Sequence, residues 1–336
     1  MIKKGLVSAI LPVKNSALTL EETIRSIQLQ VYENWELVIV VASSKDASLE
    51  IAKKMSKFDS RIKVIEDNSS KGIAEACNLA LGECTGEFVA ICNADDINMP
   101  NRFLAQQNYL RQNPEVGVIG SNVQTFGKQY TYWNLPKDHK QIAPTMLFRG
   151  SIANPTAMIR RQTLINHGLE YDPEFNRGSE DLELWERLSN ITECRNLNYA
   201  LIRYRISDTQ LSATTALTSL ENARKVRERI ISRVGVSDFA NHKELHNRIA
   251  DNEHGIDVDE VSDWFEKIKN ANSMSKHFDE DGLARILEKE QLMIIERNSK
   301  IKKSSQVNSS SFIIWMSSKL PLSWKIRAIE TLKRSS

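Results

Sequence analysis

The sequence predicts an open, doubly wound α/β sheet followed by a helical region, and three observations lead to this fold class. Short, β-branched and almost wholly apolar runs recur about every 25 to 30 residues through residue 120, which is the spacing of βαβ units. Such runs are typical of strands that a parallel sheet buries on both faces. Stretches with helical periodicity separate them, and strand signals stop after about residue 213. This alternation predicts a mostly parallel sheet with helices on its faces.

The first four strands and three helices follow from this alternation. The strands are predicted over residues 6–11, 36–41, 61–65 and 88–92. Thr19 and Glu22 have the spacing of a capping box, which predicts that the first helix begins there. The next two helices are expected over 47–55 and 73–81.

Proline residues delimit the fourth helix. Pro100 suits the first helical position and Pro114 cannot continue a helix, so we expect a helix from Pro100 to about Leu110. Further strands are predicted over 116–126, 130–135 and 197–206, with a helix over 182–188. Beyond residue 213 the chain is charged and helical, with loops around Val236, Gly255 and Ser273.

Composition and charge exclude several classes of protein. The 336 residues carry 45 Lys and Arg against 43 Asp and Glu, a net charge of +2, whereas nucleic-acid-binding proteins usually show a marked basic excess or patch. The four cysteines lack C-x-x-C spacing, so we expect reduced, mostly buried thiols in a cytosolic protein. Apolar runs stay far below the roughly 18 residues of a membrane span. The run before Pro12 is interpreted as a strand and not as a signal peptide.

A change of character near residues 212–218 predicts a domain boundary. We expect an α/β domain over 1–212 and a helical region over 213–336. Within that region the tail, residues 300–336, holds eight basic residues and one acid, interleaved with Trp and aliphatic side chains. This pattern predicts an interfacial helix on anionic lipid. The alternative is a C-terminal helix that packs its apolar groups on the α/β domain.

The candidate site lies beyond the carboxyl ends of the predicted strands, where open α/β sheets bind their ligands. That rule selects residues 12–15, 42–46, 66–70 and 93–96. Asp95 and Asp96 follow a buried strand, and two adjacent carboxylates are costly to hold together without a positive partner. Mg²⁺ or Mn²⁺, bound to carboxylates and to substrate phosphates, would be such a partner. The alternative is that one of the two acids only caps the helix near Pro100.

Other chemical motifs are absent from the sequence. The 13 glycines form no G-x-G-x-x-G and no P-loop, and there is no G-x-S-x-G. His242 and His246 have the spacing of two metal ligands on a helix, but Lys243 occupies the position where a zinc protease needs Glu. We therefore interpret the two histidines as part of a solvated helix face.

Seven segments then occur in a fixed order between residues 6 and 212. They are VSAILPVKN, TLEETIRSIQLQVYENWELVIV, KGIAEACNLAL, GEFVAICNADDINMPNRF, NPTAMIRR, SEDLELWERL and YRISDTQLS. Together they resemble family 2 glycosyltransferases, which are inverting enzymes with the GT-A fold, a Rossmann-like, mostly parallel sheet. The resemblance implies a GT-A domain over 1–212, a nucleotide-sugar donor and a divalent cation, Mn²⁺ or Mg²⁺.

The resemblance also implies roles for two pairs of acidic residues. Asp95 matches the metal-ligating aspartate of the family's D-x-D element, Asp96 follows it, and Asn93 stands where the first aspartate contacts the ribose. Asp181 matches the general base of an acidic pair with Glu180, at a helix N-terminus that favours a carboxylate. The alternative is that Glu180 or Asp181 only caps that helix. Further donor-binding positions are Pro12, Val13, Lys14, Asn15, Asp46 and Lys71.

Three departures from the family pattern concern the donor. Val41 and Ala42 stand where the family has two aspartates, one of which recognises uracil, and only the later Asp46 is retained. Lys14 replaces an aromatic residue, and Ser207 replaces a histidine that can assist the metal. We therefore expect weak discrimination among nucleoside diphosphates or a preference for another base, although the resemblance favours a UDP-sugar.

Taken as a whole, the resemblance implies a metal-dependent inverting glycosyltransferase that acts on a glycan or a lipid-linked oligosaccharide in surface polysaccharide biosynthesis. The alternative is a non-catalytic relative that binds sugar nucleotides or serves in assembly. The family's residues are lost at Val41, Ala42, Asn93 and Ser207, which argues for that alternative. The retained Asp95, Asp96 and Asp181 argue for the enzyme. The expected location is the cytoplasm, with peripheral contact to the inner face of the membrane through the tail and no nucleic-acid partner.

Overall fold

The computed structural model describes residues 2–207 and 215–304, with side chains up to residue 299. Nine strands occur in this part of the chain: β1 (Lys3–Val13), β2 (Trp35–Ala42), β3 (Ile62–Asp67), β4 (Gly86–Ile91), β5 (Ile97–Asn98), β6 (Val116–Gly127), β7 (Tyr132–Trp133), β8 (Met158–Arg160) and β9 (Glu193–Ile206). They form one sheet in the order β3-β2-β1-β4-β8-β6-β9-β5, with β7 paired to β6.

The helices of the described residues cover the sheet and make up the C-terminal region. They are α1 (Leu20–Gln28), α2 (Ser48–Phe58), α3 (Ile73–Glu83), α4 (Arg102–Gln112), α5 (His139–Thr145), α6 (Arg161–His167), α7 (Glu180–Ser189), α8 (Ala216–Val234), α9 (Phe239–Ala250), α10 (Val258–Ser275) and α11 (Glu280–Ser304). Two short 3₁₀ turns lie at Asn154–Thr156 and Pro173–Phe175.

The apolar runs form the parallel half of the sheet. Strands β3, β2, β1 and β4 pair in parallel in that order. Ala9, Ile10 and Leu11 of β1 point to alternate faces and all three are fully buried, as expected for a strand covered on both sides. Helices follow each of these strands, and strands are absent from the described residues after Ile206. The predicted mostly parallel α/β sheet with C-terminal helices is therefore confirmed.

The carboxyl ends of the parallel strands meet at one edge of the sheet. The register places Val13 of β1 beside Val41 of β2, and Ala42 of β2 beside Asp67 of β3. On the other side of β1, Ile10 lies beside Ile91, the last residue of β4. The loops after β1, β2 and β3 therefore begin at similar levels, whereas β4 ends three residues earlier along β1. These four loops carry predicted donor and metal residues.

Several local predictions were wrong because tertiary contacts override them. Thr19 precedes α1 but caps no amide with its side chain; its hydroxyl donates to the Ala94 carbonyl oxygen at 2.8 Å, and the Glu22 carboxylate accepts from Arg205. The capping box is thus not formed. Helix α4 begins at Arg102, two residues after Pro100.

Two further boundaries differ from the sequence expectation. The strand expected over 130–135 is only the two residues of β7. Ser273 lies inside α10, which continues to Ser275 and ends with Lys276 in the left-handed conformation. Within α10, Trp264, Phe265 and Ile268 are buried.

The chain divides into two compact units. The first comprises the residues up to Ile142 together with Gly150–Val226, and the second comprises Ala143–Arg149 together with the residues from Arg227 onward. The boundary expected near 212–218 stays a prediction, as does the tail, which lies outside the described residues apart from helical backbone to Ser304. No helix among the described residues is both long and apolar enough to cross a bilayer.

The second unit buries one of the two histidines that were expected on a solvated face. The indole Nε1 of Trp264 donates to His246 Nδ1 at 3.2 Å, and His246 Nε2 donates to the Leu147 carbonyl oxygen at 3.0 Å. Burial lowers the pKa of His246 to about 3, so the ring is neutral and structural. His242 instead stacks on Trp264, with ring centroids 4.9 Å apart.

Cysteine burial agrees with the sequence expectation. All four cysteines, Cys77, Cys84, Cys92 and Cys194, are free thiols and buried.

Candidate active site

The loop after β4 places one acid inside the protein and its neighbour near the surface. Asp96 is only 1% exposed. Its Oδ1 accepts from the backbone N–H of Arg205 at 2.9 Å, and its Oδ2 accepts from Asn93 Nδ2 at 3.1 Å. Burial, and then the charge of Asp95, raise the pKa of Asp96 well above its ordinary value. Asp95 itself is half-buried.

Arg205 of β9 holds this loop from the other half of the sheet. Its Nε donates to the Asp95 carbonyl oxygen at 2.8 Å, and its guanidinium pairs with Glu22 of α1. The guanidinium also lies over the ring of Phe126, 4.5 Å from the centroid. With the bond from Thr19 to the same loop, these contacts fix the backbone on which the Asp95 side chain stands.

The carboxylate oxygens of this loop are the kind of ligand that a hard divalent cation prefers. Asp95 is half-buried, whereas Asp96 is buried and both of its carboxylate oxygens accept hydrogen bonds from the protein. Mg²⁺ typically takes one or two carboxylates and completes its coordination with substrate phosphates and water. No group of three His, Cys, Asp or Glu side chains in residues 2–207 and 215–304 is arranged to hold a metal. The assignment of Asp95 and Asp96 to a metal stays a prediction.

The loops after β1 and β2 are joined to each other. Asn15 has a left-handed backbone, with φ of 51°; its Oδ1 accepts from Lys45 N at 2.8 Å and its N–H donates to Ser44 Oγ at 3.1 Å. The Asp46 carboxylate accepts from Ala17 N at 2.9 Å. Hydrogen bonds of this kind lower the pKa of Asp46 although burial opposes them. The retained Asp46 thus holds the first loop in place.

The other predicted donor residues stand on the same two loops or just after β3. Pro12 and Val13 end β1, where Val13 is buried, while Lys14 and Lys71 are exposed. The N–H of Lys71 donates to Glu75 at the start of α3.

The segment before α7 is tied to the start of α3. The N–H of Ile73 donates to the Asn176 carbonyl oxygen at 3.3 Å. Asn78 exchanges two hydrogen bonds with the backbone of Tyr171, at 2.7 and 2.8 Å. At Gly72 a Cβ would approach the Asn176 carbonyl oxygen to 2.4 Å, so only glycine permits this contact. The loop after β3 and the approach to α7 therefore form one joined surface.

Helix α7 begins with the second acid pair. Glu180 is 7% exposed, and burial together with the charge of Asp181 raises its pKa to about 8. Asp181 is half-buried, and burial raises its pKa as well. One Asp181 oxygen accepts from the Leu182 N–H at 2.8 Å. Burial and these two acids also raise the pKa of Cys77, which places α3 close to the pair.

Sequence reasoning identified both acid pairs and missed the residue that positions the first. Arg205 lies in the segment YRISDTQLS, quoted above only for the family resemblance. Its neighbour Tyr204 and the preceding run of alternating polar and apolar residues indicate a strand, but its contact with Asp95 depends on the pairing of β9 with β5. A pairing between residues about a hundred positions apart leaves no local signal.

Comparison with known proteins agrees with this arrangement. The family model described as glycosyl transferase family 2 matches residues 8–168. An uncharacterized glycosyltransferase of Haemophilus influenzae is 30% identical over 238 residues, which cover 68% of this chain and 73% of the relative. The O-antigen biosynthesis glycosyltransferase WbnJ of Escherichia coli is 30% identical over 224 residues, 62% of this chain and 83% of WbnJ.

One further relative is named for its sugar donor, and one solved structure is similar in fold. The UDP-Glc:α-D-GlcNAc-diphosphoundecaprenol β-1,3-glucosyltransferase WfgD of Escherichia coli is 28% identical over 210 residues, 62% of this chain and 80% of WfgD. The structure of S. aureus TarS 1–349 in complex with UDP-GlcNAc matches 89% of this chain and 91% of that chain with a TM-score of 0.57 and 17% identity. The likeness in fold confirms the predicted GT-A architecture.

Proposed function

Since this chain belongs to glycosyltransferase family 2, we propose that it moves a sugar from a nucleotide-sugar donor to a hydroxyl group of a glycan or lipid-linked oligosaccharide, with inversion at the anomeric carbon. The chain is a glycosyltransferase, as its relatives are. The observation that carries the proposal is the presence of two acid pairs, each with one buried and one half-buried acid.

Asp181 is proposed as the general base. Its carboxylate takes the proton from the acceptor hydroxyl, the acceptor oxygen forms the new bond to the anomeric carbon, and the bond from that carbon to the diphosphate oxygen breaks. The nucleoside diphosphate leaves with the bonding electrons. The pKa of Asp181, raised by burial, suits a group that must accept a proton and later release it. General-base catalysis contributes about 10²- to 10⁴-fold.

Asp95 would hold Mn²⁺ or Mg²⁺, and the cation would supply several kcal/mol of charge stabilisation to the departing diphosphate. Asp96 keeps its two hydrogen bonds, from Asn93 and Arg205, and fixes the loop beneath the ligand. The amide of Asn93 replaces an acid beside the buried Asp96 and donates to it. Its carbonyl oxygen can still accept a hydrogen bond from a ribose hydroxyl.

A UDP-sugar is the donor that the relatives favour. TarS is described in complex with UDP-GlcNAc, and WfgD is named for UDP-Glc. Because Val41 and Ala42 offer no side-chain acceptor to uracil, we expect the preference for UDP over other nucleoside diphosphates to be weak. The relatives named for O-antigen biosynthesis and for a diphosphoundecaprenol acceptor support an acceptor in surface polysaccharide biosynthesis. Contact with anionic lipid through residues 300–336 is part of the same proposal.

The test incubates purified protein and Mn²⁺ with a panel of nucleotide sugars. The measured quantity is the nucleoside diphosphate that is released when water serves as the acceptor. We expect hydrolysis of at least one UDP-sugar, its loss in EDTA, and a decrease of about 10²-fold or more in Asp181→Asn. Dissociation constants for UDP, dTDP, GDP and CDP at saturating Mn²⁺ measure base selectivity. Hydrolysis that is unchanged in EDTA would contradict the metal, and a UDP preference above about 100-fold, the scale of one charged hydrogen bond, would show that another residue recognises the base.

A further inference from the structure

The backbone that leads into the second acid pair has an unusual conformation. Gly178 and Ser179 have φ angles of 117° and 62°, so two consecutive residues lie in the left-handed region before α7 begins at Glu180. We call these two residues the elbow. Glycine adopts this region freely, but serine does so rarely. Strain of this kind persists only where the surroundings over-determine it, and it is concentrated at functional sites.

Helix α8 supplies the contacts that hold the elbow. The Ser179 hydroxyl donates to the Ser219 carbonyl oxygen at 2.8 Å, and its oxygen lies 3.0 Å from Ser219 Oγ. Asn222, which is 5% exposed, donates from Nδ2 to the Gly178 carbonyl oxygen at 2.9 Å. A Cβ at Gly178 would lie 2.7 Å from the Cβ of Ser219. The first half of α8 therefore packs directly on the elbow.

These contacts change how α7 is capped. A serine before a helix normally accepts from a first-turn N–H with its side-chain oxygen. Ser179 makes no such bond, because its hydroxyl is turned toward Ser219. The Asp181 carboxylate occupies a first-turn amide instead, accepting from the Leu182 N–H. The elbow thus sets both the start of the helix and the partner that orients Asp181.

We propose that Ser179, Ser219 and Asn222 are positioning residues that pin the elbow and so fix the direction in which α7 presents Asp181. The inference rests on the proposed function, because that function makes Asp181 the base. A base must lie within hydrogen-bond reach of the proton that it removes, and a displacement of about 1 Å can lower the rate about 10²-fold. An unpinned elbow therefore lowers turnover and leaves donor binding unchanged, since the donor residues stand on other loops.

The experiment compares Ser179→Ala, Ser179→Gly and Asn222→Ala with Thr218→Ala, a control on the same helix. Ser219 accepts the hydrogen bond with its backbone carbonyl oxygen, which a substitution at position 219 would not remove. The bond is therefore broken from the other side, by the substitutions at Ser179. Release of UDP from UDP-glucose and UDP-N-acetylglucosamine with Mn²⁺ gives kcat and KM, and calorimetry with UDP and Mn²⁺ gives Kd. We expect kcat of the elbow variants to fall about 10-fold while KM and Kd stay within about 2-fold, and Thr218→Ala to match wild type. A merely structural role would change Kd and the melting temperature together with kcat.

Amide hydrogen exchange over residues 180–183 provides a second readout that needs no turnover. We expect faster exchange there in the elbow variants and unchanged exchange in Thr218→Ala. Ser179→Gly keeps the test decisive if another variant fails to fold, because glycine adopts the left-handed region without strain. A wild-type kcat in Ser179→Gly overturns the inference. If turnover is too slow to measure, unchanged amide hydrogen exchange over residues 180–183 in the elbow variants overturns it as well. Wild-type turnover in Asp181→Asn would instead overturn the proposed function.

Discussion

The loop after β4 and the start of helix α7 each place two adjacent carboxylates at the end of a regular element, with the inner acid buried and the outer one partly accessible. The inner acid of the loop, Asp96, accepts hydrogen bonds from Asn93 and from the backbone of Arg205. Burial and the charge of the neighbouring acid raise the pKa of both inner acids, that of Glu180 to about 8, so the two pairs differ in the hydrogen bonds that Asp96 accepts and not in the direction of the shift.

This difference indicates different chemistry for pairs that look alike in sequence. Hydrogen bonds from fixed donors hold a carboxylate in one orientation, which suits the support of a cation and its diphosphate. In the helix pair the outer acid, Asp181, has a pKa that burial raises above its ordinary value, which suits a general base that must gain and lose a proton. The environment, and not the pairing of two acids, assigns each its task.

The largest expected effects separate the two pairs. Asp95→Ala removes the half-buried carboxylate of the loop, so we expect Mn²⁺-dependent binding of UDP to be lost. Asp181→Asn keeps the size of the side chain and removes its basicity, so we expect donor binding nearly as in wild type and turnover lowered by about 10²-fold or more. Calorimetry with UDP and Mn²⁺, together with kcat for donor hydrolysis, measures both.

Each variant is the control for the other. If Asp95→Ala bound UDP and Mn²⁺ as tightly as wild type, the assignment of Asp95 to the metal would be wrong. If Asp181→Asn lost donor binding instead of turnover, the two pairs would form one binding site and would not differ in chemistry.

A smaller effect is expected at Arg205, which orients the loop without carrying its chemistry. Arg205→Ala removes the bond to the Asp95 carbonyl oxygen, whereas its pairing with the exposed Glu22 contributes little. We expect UDP affinity at saturating Mn²⁺ to fall about 10-fold, equivalent to about 1.4 kcal/mol. Arg203→Ala is the matched control, because Arg203 lies over the same Phe126 ring, 4.6 Å from its centroid. Equal losses in the two variants would mean that packing on Phe126, and not the loop contact, matters.

The sequence predicted the parallel half of the sheet and the two acid pairs better than the contacts between them. Apolar runs such as that of β1 predict buried strands because burial acts on neighbouring residues in a regular pattern. The two-residue strand β5 has no such pattern and exists through its pairing with β9, a hundred residues later. For the same reason the sequence suggests a cap at Thr19, whereas the folded chain offers its hydroxyl the carbonyl of Ala94.

The smallest expected effect concerns the proton affinity of the helix pair. Burial, and not Glu180, raises the pKa of Asp181, so Glu180→Gln should leave that pKa in place. Because Asp181 must be ionised to act as a base, turnover rises with pH through its raised pKa. We expect the acid limb of the kcat profile to lie above the pH of an ordinary aspartate in wild type and to lie at the same pH in Glu180→Gln. Asp96 lies in the other pair, so Asp96→Asn should leave this limb in place.

The same substitution should stabilise the folded chain in a window of pH that the raised pKa of Glu180 defines. A carboxyl group whose folded pKa is about 8 binds its proton more tightly in the folded than in the unfolded state. Its stabilising contribution is present in full below its unfolded pKa of about 4.3 and is lost as the pH rises through 8. Glutamine cannot ionise, so the free energy of unfolding of Glu180→Gln should match wild type near pH 4 and exceed it by about 2 kcal/mol above pH 8, less than the full shift would give because Asp181 shares it. Urea unfolding of both proteins between pH 4 and 9 measures the difference. A constant difference over that range would mean that Glu180 keeps an ordinary pKa, and the proton affinity argued for the helix pair would be wrong.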